Sequence, residues 1–357
     1  MLVVLAGGLV ACDGDPVGVP PAGAIDLATP WVQATPESVG LDENALFAAG
    51  EIGSGIERLR SLVVVRGGRL AYERYYGGWT VDTLADVRSV TKSVMATLVG
   101  IAIQDGAIDR IDQPITDFLS SPEFPIRPEH AAITVRHLLM MTSGLYWSAD
   151  DLEGYNDWIQ SGDHVDYVLS QPSIGVPGGA LTYNSAAVHL LGVVLEKAVG
   201  QTVPDFADEV LFGPLGIRKR TWEELSAGYV NGSSGLDLRP RDLAKIGQLY
   251  LQGGWSGARS VVPTAWVSEA TTARWPNLGP VGPIENLSYG YLWWIDLDHR
   301  AYLAWGFAGQ FIYVVPALDL VVVAATEWRG VGQDIGNQAL QEDVLGLIVN
   351  SILSAIR

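Results

Sequence analysis

The chain has 357 residues, of which 48% are apolar and 17% charged. That is enough apolar material for a substantial core and argues against disorder. The formal net charge is −18, from 22 basic and 40 acidic residues. Such a surface repels nucleic acid and anionic lipid, so neither is expected as a partner.

The single cysteine, Cys12, excludes an intramolecular disulfide. Residues 2–11 (LVVLAGGLVA) are small and apolar and lead directly into it. The run is too short to span a bilayer. It resembles a bacterial lipoprotein signal (1–11), which implies lipidation at Cys12 and a place in the cell envelope or periplasm. The usual basic n-region is missing, and a cytoplasmic protein with a buried or disordered N-terminal cysteine is the alternative. Residues 12–36, rich in Pro, Gly, Ala and Asp, read as a flexible tether. The folded domain is expected at 37–357.

Residues 38–52 read as a helix. Leu62–Val65 and Leu70–Tyr75 flank Gly67-Gly68 and read as a strand hairpin. Ser89–Gln104 follows as a helix that is apolar nearly all round, and hence buried, stopped by Asp105-Gly106. From about 107 to 245 the pattern is helix and loop, including helices at 134–141, 184–199 and 240–252. Residues 146–170 are polar and aromatic, as segments that cover sites are. Tyr146, Trp147, Tyr155 and Trp158 are candidate substrate contacts there, with ordinary surface aromatics as the alternative. Strands return at 291–295, 301–305, 311–315 and 320–325, and a helix over 336–356 closes the chain. The expected class is α+β, in three α/β/α layers. One antiparallel sheet is built from both chain ends and flanked by helices, with a helical subdomain inserted.

Ser89-Val90-Thr91-Lys92 carries the chemistry. A serine needs a base to become a nucleophile, and positions i and i+3 share a helix face. Burial and the positive field of the helix N-terminus lower a lysine pKa, so that a neutral amine could take the serine proton. The Ser89 amide could supply half of an oxyanion hole. The chain has only four lysines (Lys92, Lys197, Lys219, Lys245), and this is its one S-x-x-K. The bland alternative is an N-cap serine beside a surface lysine. Tyr183-Asn184-Ser185 is the second signal. A tyrosine beside a lysine cation can become partly phenolate and act as a second base or proton relay. Its bland alternative is a packed aromatic with Ser185 as N-cap. Tyr229-Val230-Asn231 is a rival that no helix follows.

These motifs resemble the class C β-lactamase-like serine hydrolases, in particular their family VIII carboxylesterase and 6-aminohexanoate-dimer hydrolase branch. Ile133–Leu139, Thr142-Ser143-Gly144-Leu145 and Tyr289-Gly290-Tyr291 support the likeness, which covers about 37–357. It implies a β-lactamase/transpeptidase-like fold and an acylated Ser89. Lys92 and Tyr183 would share acid–base work, and Ser185 would bind substrate. The third motif departs from the lactamase Lys-Thr-Gly: the segment here is Ala304-Trp305-Gly306-Phe307-Ala308-Gly309-Gln310. Gly306, Gly309 and Gln310 are the oxyanion candidates, and Trp305 joins the substrate contacts.

The cation that normally holds a substrate carboxylate is absent from that motif. The expectation is therefore hydrolysis of small esters, extending to small amides, with no cofactor and no metal. A penicillin-interacting D,D-peptidase or β-lactamase, or a non-catalytic binding protein on the same fold, are the alternatives. There is no G-x-S-x-G elbow. His130, His137, His164, His189 and His299 are scattered without metal-ligand spacing.

Overall fold

The computed structural model describes residues 19–148, 151–275, 277–331 and 335–357. Cys12 and the apolar run before it lie outside them. We number the strands of the main sheet β1 (Leu59–Arg66), β2 (Arg69–Tyr75), β3 (Leu287–Tyr289), β4 (Trp294–Asp296), β5 (Ala301–Gly306), β6 (Gln310–Val315) and β7 (Leu320–Thr326). The principal helices are α1 (Glu43–Gly55), α2 (Val90–Gln104), α3 (Asp151–Ile159), α4 (Ser185–Val199), α5 (Pro240–Leu251) and α6 (Ile335–Gly346).

The sheet is seven-stranded and runs β2-β1-β7-β6-β5-β4-β3. Its pairings are antiparallel. The join between the chain ends is β1 with β7, where Val63 faces Val323 and Val64 faces Val322. Successive strand residues point to opposite faces, and both faces are covered. Val63, Val65, Ile312, Val314, Val321 and Val323 meet one core with α2 and α5. Leu62, Val64, Phe311, Tyr313, Val322 and Ala324 meet another, with Leu46 of α1 and Val344, Ile348 and Ile352 near the C-terminus. This two-sided burial explains why β7 reads as an unbroken apolar run rather than an alternation. Gly247 lets α5 lie flat on the sheet, since a Cβ there would stand 2.6 Å from Val321 Cγ1 and 2.7 Å from Ile312 Cγ2.

Several boundaries differ from expectation. The first helix starts later: Pro36–Val39 is a separate 3₁₀ turn closed by Gly40 at φ +76°. Asp42 then caps α1 by accepting from the Ala45 amide. The strand expected at 291–295 is interrupted because Leu292 takes φ +55° and donates its amide to Leu139 O, leaving β3 and β4 on either side. The closing helix loosens after α6 into π-helical and 3₁₀ turns over Leu347–Ile352 and Leu353–Ala355.

The described part of the segment read as tether, residues 19–36, packs against the body. Leu27 is buried and bonds Ser256 Oγ through its amide. Trp31 Nε1 donates to Arg241 O, and Gln33 bridges Leu70. Its Leu and Trp had a surface to bury, which composition alone does not reveal. The middle region also holds a small three-stranded sheet that the sequence pattern did not announce. Leu236–Leu238 pairs on one side with Ala85–Asp86 and on the other with Arg220–Trp222. Among the described residues no single helix is long and apolar enough to cross a membrane.

Candidate active site

Ser89 sits at the junction the small sheet makes with α2. The Val87 amide donates to Leu236 O, which anchors the strand before the turn. Arg88 then adopts φ +49°, a left-handed conformation costly for a side chain of its size. Two bonds hold it there: its amide donates to Asp86 Oδ1, and its carbonyl accepts from Thr91 Oγ1 at 2.7 Å. The chain therefore enters α2 through a fixed, strained turn with Ser89 at the N-cap position.

Ser89 does not cap. Its side chain makes no bond to the helix amides; Oγ instead accepts from Lys92 Nζ at 2.9 Å. Nor is Lys92 on the surface, being only 1% exposed. Both halves of the bland alternative therefore fail. The amine has two further acceptors, Ser185 Oγ at 3.1 Å and the Ser233 carbonyl at 2.9 Å. Burial is the largest influence on Lys92. It pulls the amine down to about 7, reinforced by Arg88 and opposed by Asp151. A group at that value is part neutral at neutral pH and can accept a proton.

Tyr183 lies beside this pair. The Lys92 amine stands 5.0 Å from its ring centroid. The ring stacks on Trp294 at 5.9 Å and meets Tyr289 edge-on. Burial, followed by Asp151, pushes the phenol well above its ordinary value, and a bond with Ser89 only partly offsets this. The phenolate expected from the sequence is thus disfavoured by desolvation, and the phenol remains a proton donor. Asn184, not Ser185, caps α4 by accepting from the Ala187 amide. That frees Ser185 Oγ to face Lys92.

The third segment approaches from β5. A Cβ on Gly306 would lie 2.3 Å from Val87 O and 3.2 Å from Arg88 Cβ, so only glycine lets the strand end pass this close to the Ser89 turn. The following residue, Phe307, lines the same cleft as Ser89. Gly309 and Gln310 serve the fold instead. Gly309 turns the chain at φ +93°. The buried Gln310 amide exchanges bonds with Thr326, donating to its Oγ1 and accepting from its backbone N–H. Trp305 donates to Gln341 and packs between Trp294 and Phe311, one ring removed from Tyr183.

The cleft in front of Ser89 measures about 480 Å³ and is walled by Asp151, Leu152 and Tyr155 of α3, with Ser185, Ser234 and Trp328. The segment expected to cover the site is therefore partly helical, and Tyr155 lines the cleft. Tyr146 is not among the cleft residues; it is 43% exposed. Trp147 is buried and donates to Asp151. Trp158 is fully buried against His164 and His189. Burial drives His189 down to about 4, as suits a core histidine. Among the described residues no cluster of His, Cys, Asp or Glu is placed to hold a metal ion.

Sequence reasoning missed Arg88 and the Ser233–Ser234 segment. The Arg88 guanidinium lies 4.2 Å from the Trp328 ring centroid and 3.7 Å from Asp86 Oδ2. The φ of residue 88 and the pairing of 236 with 87 leave no mark in a single sequence. Only the adjacency of Arg88 to Ser89 was visible.

A buried lysine bonded to a serine at the head of an apolar helix, opening on a cleft, defines a serine hydrolase. The family described as Beta-lactamase matches residues 60–344, and the chain belongs to it. The relatives are consistent. A 6-aminohexanoate-dimer hydrolase of Paenarthrobacter ureafaciens is 25% identical over 75% of this chain and 72% of its own length. Esterase EstB of Burkholderia gladioli is 32% identical over 44% of this chain and 45% of its own, less than half of each. Among solved structures, the octameric penicillin-binding protein homologue from Pyrococcus abyssi superposes with TM-score 0.67 at 18% identity. That match covers 88% of this chain and 78% of the other, and establishes the fold as β-lactamase/transpeptidase-like.

Proposed function

We propose that the protein cleaves carboxylic esters, and small amides, through an acyl-Ser89 intermediate. The observation that carries the reading is the 2.9 Å contact between Ser89 Oγ and a lysine amine that is 1% exposed. In the acylation step the neutral Lys92 amine takes the Ser89 proton as Oγ bonds to the substrate carbonyl carbon. Negative charge moves to the carbonyl oxygen, and the backbone amides of Ser89 and Phe307, two residues that line the cleft, are the donors we assign to it. The tetrahedral adduct collapses, the C–O or C–N bond to the leaving group breaks, and that group departs with a proton from the Lys92–Ser185–Tyr183 set. Water then attacks the acyl-enzyme, with Lys92 again as base.

Electrostatics favour uncharged substrates. Apart from Lys92 itself, the cation lining the cleft is Arg88, and it is faced by Asp86 and stacked on Trp328. Asp151 and Glu223 line the same cleft. A substrate carboxylate would meet no net positive field, which weighs against penicillins and D-Ala-D-Ala peptides. The relatives named as an esterase and as a 6-aminohexanoate-dimer hydrolase support esters and linear amides. One panel tests this: short and long p-nitrophenyl esters, nitrocefin and a 6-aminohexanoate dimer. Turnover of the short esters is expected to dominate. Rapid nitrocefin hydrolysis with inert esters would overturn the reading.

A further inference from the structure

The tyrosine of the rival motif, Tyr229-Val230-Asn231, pairs with a lysine other than Lys92. Tyr229 lies near Lys197, 5.9 Å from amine to ring centroid. Its asparagine nevertheless reaches the catalytic lysine by another route. We propose that Asn231 is a positioning residue for Lys92, acting by holding the Ser233 carbonyl against the lysine amine.

Asn231 is fully buried, and its side-chain amide bonds in both senses. Oδ1 accepts from Ser233 N–H at 3.1 Å, Ser233 Oγ at 2.9 Å and Ser234 N–H at 3.1 Å. Nδ2 donates to Glu223 Oε2 at 2.9 Å and Ser234 Oγ at 3.1 Å. Three donors converging on one oxygen fold residues 231–234 into a tight loop, and the Glu223 contact orients the amide. The Ser233 carbonyl leaves that loop to accept from Lys92 Nζ at 2.9 Å. The loop cannot drift relative to Ser89, because Leu236 just beyond it accepts from the Val87 amide. The nucleophile turn and the Ser233 carbonyl therefore ride on adjacent strands of the small sheet. Ser234 Oγ also bonds Tyr155 Oη at 2.9 Å, which ties the cleft wall to the same network. A network in which each member is satisfied is stiff, and its loss is felt by the group it points at.

The inference rests on Lys92 as the base. A carbonyl accepting from the amine favours its protonated form, so the loop counteracts part of the burial effect. Other groups that face the amine are Asp151 and Arg88, acting through charge, and the Tyr183 ring. Glu223 lies behind Asn231.

The test is the pH profile of kcat/KM on a p-nitrophenyl ester, with circular dichroism to confirm folding. Asn231→Ala is expected to lower kcat about tenfold and to move the acid limb to lower pH. Asn231→Asp keeps the acceptor and adds charge, so its acid limb should move to higher pH. Ser233→Ala removes one bond to Oδ1 and should give a smaller displacement in the direction of the alanine variant. If Asn231→Ala does not fold, the other two carry the test. Folded variants with the wild-type limb and kcat would overturn the inference. Lys92→Ala separates the two levels: activity in that variant sinks the base assignment itself, whereas a dead Lys92→Ala beside unmoved Asn231 and Ser233 profiles sinks only the role of the loop.

Discussion

Lys92 Nζ lies 3.1 Å from Ser185 Oγ while also bonded to Ser89. The two hydroxyls belong to different helices and share one amine, so a proton taken from Ser89 has a way onward. Ser185→Ala is expected to lower kcat roughly ten- to a hundredfold, the scale of one hydrogen bond to a charged group. Stability should change little, because Asn184 supplies the helix cap. Steady-state kinetics and a thermal melt on one preparation check both halves.

Tyr183 is held protonated by its surroundings. Tyr183→Phe keeps the stack on Trp294 and removes the acid. A fall of about 10²–10⁴ in kcat is the general acid–base range, and KM should move less. Unchanged kcat in the phenylalanine variant would confine the ring to packing.

The Lys92 amine gives a pH signature with a definite sign. Activity requires the neutral amine, so kcat/KM should rise with pH through about 7. Stability should follow the same direction. The unfolded lysine titrates near 10.5 and the folded one near 7, so between these values the unfolded chain holds a proton that the folded chain lacks. Unfolding free energy from this group then rises with pH by up to about 1.4 kcal/mol per unit. The burial cost is complete below pH 7 and gone above the unfolded value. Urea melts of wild type and Lys92→Met across that window should differ in slope by about one proton.

Gly306 sets how close β5 comes to the nucleophile turn. Gly306→Val places carbon against Val87 O and must push the Ser89 turn or the strand away. Loss of most ester turnover is expected, with a lower melting temperature. Ile348→Ala is the matching control on the other face of the sheet. Ile348 is fully buried there, so the change should cost about 2–5 kcal/mol in stability and leave kcat/KM per folded molecule unchanged.

The parts of this site that were legible in the sequence are the local ones. Ser89 and Lys92 share one helix, so their contact follows from helical spacing. The terminal strands and α1 announce themselves by apolar pattern and turns. Tyr183 could be proposed because a Gly-rich segment precedes it and a helix follows. The long-range partners were hidden. Nothing local tells that the Ser233 carbonyl meets Lys92, that Arg88 folds back on Trp328, or that Gln310 spends its amide on Thr326. The packing of residues 27–33 was not legible because Leu27 and Trp31 acquire meaning only once Ser256 and Arg241 lie beneath them. Spacing left Tyr183 open as a partly ionised base or a proton relay, because spacing carries no information on burial, and burial dominates its ionisation.

Acylation of Ser89 is the step on which the proposed mechanism turns. Intact-mass and peptide-mapping spectrometry after mixing with a fluorophosphonate probe, or with a slowly hydrolysed p-nitrophenyl ester, measures this directly. One adduct is expected on the peptide containing Ser89, none in Ser89→Ala, with loss of ester turnover in that variant. An adduct on another residue, or full turnover by Ser89→Ala, would contradict the proposed mechanism.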